Sequence, residues 1–295
     1  MAASPVNLRT NYVRSISLPS RSHPLVPQFE EYLNRVQSSE GTSISSSSIS
    51  QRLEGLKELY DCVDGIFVLS STQKALSQDS QNREMVNELL DGLLRLLDLC
   101  AAAKETLSTV KTCMQELQSA FRRRRGNDIA LTSEIKKYLS HKKDIQKATQ
   151  KALRNLKLTE GKGFSLMSEN RESAVVISML REAESATFRV IQSLMSFILG
   201  HRSNSKPRRC SLVSKLMRTK RVSCEAASKF SEVEQVDAEL RILMNQNTAT
   251  CNMYDGAQKV MQELEMSIQD LEEGLKCLYR QLIKTRAALL NTLSC

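Results

Sequence analysis

The sequence predicts an all-α protein, an elongated antiparallel helical bundle organised by two long heptad-patterned helices. Three observations carry that prediction. First, from Val233 to Leu289 apolar residues recur at alternating steps of three and four, through Leu240, Leu243, Tyr254, Met261, Leu264, Ile268, Leu271, Leu275, Leu278 and Leu282, with polar interruptions at Asn247, Thr250 and Thr285. Second, the same steps from Leu89 give Leu93, Leu96, Cys100, Ala103, Leu107, Val110, Met114, Leu117 and Phe121 without one polar member. Steps averaging about 3.5 residues keep each set on one stripe of a helix, and a strand has no use for that period. Third, no proline stands between Pro27 and Pro207 and none follows Pro207, so helix is permitted almost throughout.

A chain of 295 residues is long enough to bury a substantial core. We divide it into a disordered Ser/Arg-rich tail, residues 1–27, and a single bundle domain, 28–295, with flexible segments near 38–50 and a basic loop at 200–224. The net charge of +9 is unevenly spread: segments 51–121 and 225–295, which hold the two seams, each carry −4, whereas 122–162 carries +9 and 200–224 carries +8. A bundle made of these pieces is electrically two-faced.

The tail holds Arg9, Arg14 and Arg21 among serines and prolines and has no acid before Glu30. That composition suits a regulatory tail and also a chloroplast transit peptide. Within it Arg14, Ser15, Ser17 and Pro19 match the Arg-Ser-x-Ser-x-Pro pattern read by 14-3-3-type adaptors once the second serine is phosphorylated. A first helix is expected from Gln28 to Gln37, burying Phe29, Leu33 and Val36, followed by a serine-rich link, 38–50. Ser50 is the expected N-cap of the next helix, whose stripe is Leu53, Leu56, Tyr60, Val63 and Phe67. Ser70, Ser71 and Thr72 end that helix and cap a short turn.

The first long helix starts near Ser80. The run Leu89 to Cys100 has leucine on nearly every face and reads as the bundle centre, with Asp91, Arg95 and Asp98 spaced to pair along one side. The helix ends in Arg122, Arg123, Arg124 and Arg125 before Gly126, where arginines favour the negative end of the helix dipole and glycine terminates it. The same run fits an acidic partner or a nuclear localisation signal. The next helix, Thr132 to Leu158, sets Lys136, Lys137, Lys142, Lys143, Lys147 and Lys151 around a thin apolar stripe. With Arg122 to Arg125, the lysines Lys136, Lys137, Lys142 and Lys143 form a basic patch suited to an acidic protein or an anionic membrane surface. No nucleic-acid fold signature accompanies it.

A further helix is expected over 169–199, closed by Gly200. In the basic loop beyond, Ser211 and Ser223 each follow a basic pair, as basophilic kinases prefer. The final seam is expected to break near Asn247 to Asn252, where its members turn polar.

No catalytic, metal or cofactor site is visible. The eight cysteines include no Cys-x-x-Cys, and His23, His141 and His201 fall in the tail, on a lysine-rich face and in the basic loop. With no secretory signal the chain reads as cytoplasmic with free thiols, the chloroplast and the nucleus being the alternatives. Val190–Leu199, the longest apolar run, is too short to cross a bilayer. A non-enzymatic interaction protein, with a homodimer among its assemblies, is the function class that this leaves in front.

The tail Arg14 to Pro24, the core Leu90-Asp91-Gly92-Leu93-Leu94-Arg95-Leu96-Leu97-Asp98-Leu99-Cys100, the Glu116-Leu117-Gln118-Ser119-Ala120 segment with its four-arginine sequel, and the end from Leu271-Glu272-Glu273-Gly274-Leu275 to Asn291 resemble the plant Bypass-like family. The resemblance covers nearly the whole chain. It implies a plant protein with a helical domain and a link to root and shoot development, and it supplies no catalytic residue, cofactor or substrate.

Overall fold

The computed structural model describes residues 25–38, 45–77, 80–123, 128–157, 171–200, 231–245 and 251–294. Among them the chain forms eight helices in the order α1 (Leu25–Ser38), α2 (Ser46–Phe67), α3 (Ser70–Ser77), α4 (Ser80–Arg122), α5 (Asp128–Lys157), α6 (Arg171–Leu199), α7 (Glu232–Asn245) and α8 (Cys251–Ser294). The all-α expectation holds, and α4 and α8, of 43 and 44 residues, are the two long heptad helices.

Both seams close inside one chain. All ten α4 seam residues are at most 7% exposed, and on α8 Met261, Leu264, Leu271, Leu278 and Leu282 are fully buried. Each such side chain contributes about 1.5–3 kcal/mol on leaving water, so this stripe alone outweighs any surface interaction in the molecule. The leucine-rich centre is buried on most sides, but Leu94 is 46% exposed. Asp91, Arg95 and Asp98 are exposed and form no ion pair with one another; the charge of Arg95 acts instead on Glu184 of α6.

Cross-helix contacts fix the directions. Lys111 reaches Glu272 at 2.9 Å and Gln118 reaches Glu265 at 3.1 Å, so α4 and α8 run antiparallel. Tyr60 meets Thr187 and Arg52 meets Ser193, each at 3.0 Å, so α2 and α6 are antiparallel as well. The other two neighbouring pairs are parallel. Ser46 donates to Ser267 and Thr285 donates to Asp64, both pairs being 221 residues apart, which locks α2 and α8 in one register. Asn82 to Ser173 and Arg181 to Glu88 do the same for α4 and α6. Four helices, α2, α8, α4 and α6, thus enclose the core. The mixed directions require long returns: α5 runs back along α4 before α6 begins, its Lys137 3.5 Å from Glu116.

Thr285, a polar break in the apolar pattern, is fully buried and donates at 2.6 Å to Asp64, which also accepts from Gln281 at 3.0 Å and pairs with Lys284 at 3.1 Å. A buried carboxylate holding three donors is satisfied, and the partner set exists in only one alignment of α2 on α8.

Element boundaries differ from expectation in a few places. α1 starts at Leu25, because Pro27 is tolerated in a first turn and the Leu25 carbonyl accepts from the Cys62 thiol. Ser45, not Ser50, is the N-cap of α2: its side chain accepts from the Ser48 amide, and Ile49, at 2% exposure, draws the first turn into the core. Leu131 does the same for α5, which begins at Asp128. α6 ends as expected at Gly200, whose φ of 61° suits glycine. α7 stops at Asn245 and α8 starts at Cys251; Ser46 contacts both Glu232 and Ser267, so α7 folds back on α8 rather than extending it. Among the described residues no helix is long and apolar enough to cross a membrane.

Candidate functional site

The basic patch is only partly a surface. α5 buries Leu131, Ile135 and Tyr138 against the bundle, which turns Lys136, Lys137, Lys143, Lys147 and Lys151 to solvent. Lys137 is shared between Glu116 and Glu134, and Lys147 pairs with Asp144. Lys136, Lys143 and Lys151 have no acid within ion-pair distance among the described residues. Arg122 and Arg123 are exposed at the end of α4, adding to the same sign of charge; Arg124 and Arg125 lie outside the described residues.

Lys142 does not belong to this face. It is 6% exposed and forms an ion pair with Asp237 of α7 beside Gly200. Burial pushes its ammonium down while Asp237 opposes the shift. The pair ties α5 to α7, a structural duty, and removing either partner would strand a buried charge. Tyr138 is buried nearby and its hydroxyl is pushed up, first by burial and then by Asp237.

A groove of about 720 Å³ opens along the outer side of α4. Its floor is Ala101, Ser108, Thr109 and Thr112, and its walls are His141 of α5 and Leu275, Lys276 and Tyr279 of α8. Cys113 Sγ lies 3.8 Å from His141 Nδ1. That thiol–imidazole pair escapes a reading of the sequence because α4 and α5 bring the two together across 28 residues. Burial and then Glu116 push the Cys113 thiol up, the reverse of what a nucleophilic thiolate needs. Among the described residues no three His, Cys, Asp or Glu side chains are grouped to hold a metal ion.

Elsewhere on α4, α6 presses a carboxyl against its backbone. Glu184 Oε1 is enclosed without a hydrogen-bond partner against Gly92, where any Cβ would collide with it. Burial pushes this carboxyl up to about 8, against the opposing charges of Arg95 and Arg181. With Oε1 enclosed between the helices, Glu184 reads as a packing carboxyl rather than a catalytic acid.

The adaptor motif (Arg14, Ser15, Ser17, Pro19) and both kinase-type serines, Ser211 and Ser223, lie outside the described residues. A family model described as Protein BPS1 matches residues 52–292. No curated protein and no solved structure matches the chain.

Proposed function

The chain belongs to the BPS1, or Bypass-like, family, and on that premise we propose that it is a non-enzymatic regulatory protein of plant root and shoot development that engages an acidic protein partner through the lysine face of α5. The observation that carries this reading is the make-up of that face. Lys136, Lys143 and Lys151 are exposed, while the exposed large apolar residues among the described ones, such as Leu94, Met266, Tyr279, Ile283 and Leu290, all lie outside α5. A surface that is basic and, among the described residues, has no exposed large apolar side chain suits a folded acidic protein better than a bilayer interface, where binding strength grows with buried apolar area. The developmental role is the one the family resemblance implies.

The test is a triple variant, Lys136→Glu, Lys143→Glu and Lys151→Glu, expressed in plants lacking the protein. It is expected to leave melting unchanged, to lose a salt-sensitive complex recovered with the wild type, and to fail to restore root and shoot growth. Full restoration of growth by the triple variant would overturn the reading. So would wild-type pelleting with anionic phospholipid vesicles that the triple variant loses, which would make the face a lipid site.

A further inference from the structure

The outer sides of α4 and α8 form a surface that complements itself. Lys111 pairs with Glu272 and Gln118 with Glu265. Stepping back by sevens along α4 and forward along α8 sets Lys104 level with Tyr279 and Leu97 level with Arg286. Within one residue of that register Leu94 lies beside Leu290 and Ala101 beside Ile283. Leu94, Tyr279, Ile283 and Leu290 are 46%, 38%, 47% and 39% exposed, so the upper half of this face is an apolar strip turned to solvent. Its two margins differ in charge, acid prevailing on α4 beside exposed Arg95 and base on α8 beside exposed Glu273. On the α4 side Asp91, Asp98 and Glu105 are exposed at seven-residue steps, and on the α8 side Lys276 and Arg280 are exposed. Arg286, part-exposed between them, has its Nε enclosed without a hydrogen-bond partner.

We propose that this face joins two copies of the chain in a homodimer whose two-fold axis runs along the valley between α4 and α8. Rotation about that axis lays α8 of each copy over α4 of the other. Tyr279 and Ile283, level with the partner's Lys104 and Cys100, then meet the upper end of its 720 Å³ groove beside Ala101, and Leu290 meets the partner's Leu94 beyond that end. The same rotation sets the acidic margin of one copy against the basic margin of the other, with Glu105 level with Arg280 and Lys276 of its partner. A two-fold axis across the helices would instead oppose acid to acid. Ridge beside groove, and acid beside base, is the arrangement that an isologous contact satisfies twice over. Neither heptad seam takes part, since both are buried within each chain. The contact as argued uses no lysine of α5, so this assembly is distinct from the partner reading above.

Light scattering of the purified full-length chain tests it. The expected mass is twice 33.2 kDa at low salt, falling toward 33.2 kDa on dilution. Ile283→Asp, at an exposed position, is expected to weaken the dimer roughly tenfold or more without lowering the melting temperature. Glu105→Arg and Arg280→Glu are each expected to weaken it, and the two together to restore it, a rescue that misfolding cannot imitate. A monomer at every concentration overturns the proposal, as does a dimer unaffected by Ile283→Asp or a charge pair whose double variant stays weak.

Discussion

Replacing Glu184 by glutamine should change the way stability depends on pH. The carboxyl has an ordinary value of 4.5 and is held at about 8 in the folded chain. Below pH 4.5 it is neutral in both states and costs nothing. Between 4.5 and about 8 the folded chain keeps a proton that the unfolded chain has released, so stability falls by about 1.4 kcal/mol per pH unit as pH rises. Above about 8 the loss levels off. The total is at most about 4–5 kcal/mol, an upper bound because part of the side chain still touches water. Glu184→Gln keeps the shape of the neutral acid against Gly92 and removes the titration. Urea unfolding of both proteins at about pH 5.5 and about pH 8 reads the effect: the wild type should lose about 3 kcal/mol more than the variant over that range. Other titrating groups cancel in the comparison. Parallel losses in the two proteins would show that Glu184 is ionised and solvated in the folded state, and would refute the argument.

Two further outcomes follow from the core and from the tail. Leu93 and Leu271 are both fully buried, so Leu93→Asp and Leu271→Asp should each cost more than about 4 kcal/mol and leave the chain largely unfolded by circular dichroism; an unchanged melt would remove that helix from the core. A tail peptide spanning Arg14 to Ser20 and phosphorylated on Ser17 should bind a 14-3-3 protein in a fluorescence-anisotropy titration, and equal binding by the unmodified peptide would sink the adaptor reading.

The sequence showed what depends on period and little of what depends on neighbours. The seams of α4 and α8, the stripe of α2 and the stop at Gly200 follow from local rules, and burial agrees with them. Lys142 is indistinguishable from Lys143 in the sequence, yet one is buried on Asp237, a residue 95 positions later, and the other is exposed. The heptad step runs unbroken in phase from Leu243 to Tyr254, so only the polar members Asn247 and Thr250 hinted that α7 turns back on α8. Thr285 is a polar member of an otherwise apolar run in the sequence, and it proves to be a partner for Asp64. Leucine at every step around residue 94 suggested burial all round, because periodicity cannot say which side of a helix its own chain leaves uncovered.

The fixed 221-residue offset between α2 and α8 also bears on how the molecule is made. α2 emerges from the ribosome well before the helix that holds it in register, which follows 221 residues later. At about 5–20 residues per second the wait is about 10–40 s, many orders of magnitude longer than a helix takes to form. During that time Leu53, Leu56, Tyr60 and Val63 lack the neighbour that will cover them. Completion of the bundle is therefore a late, long-range closure, of the kind that folds slowly and exposes apolar surface meanwhile. A nascent chain of this protein is a natural client for chaperones until α8 has emerged.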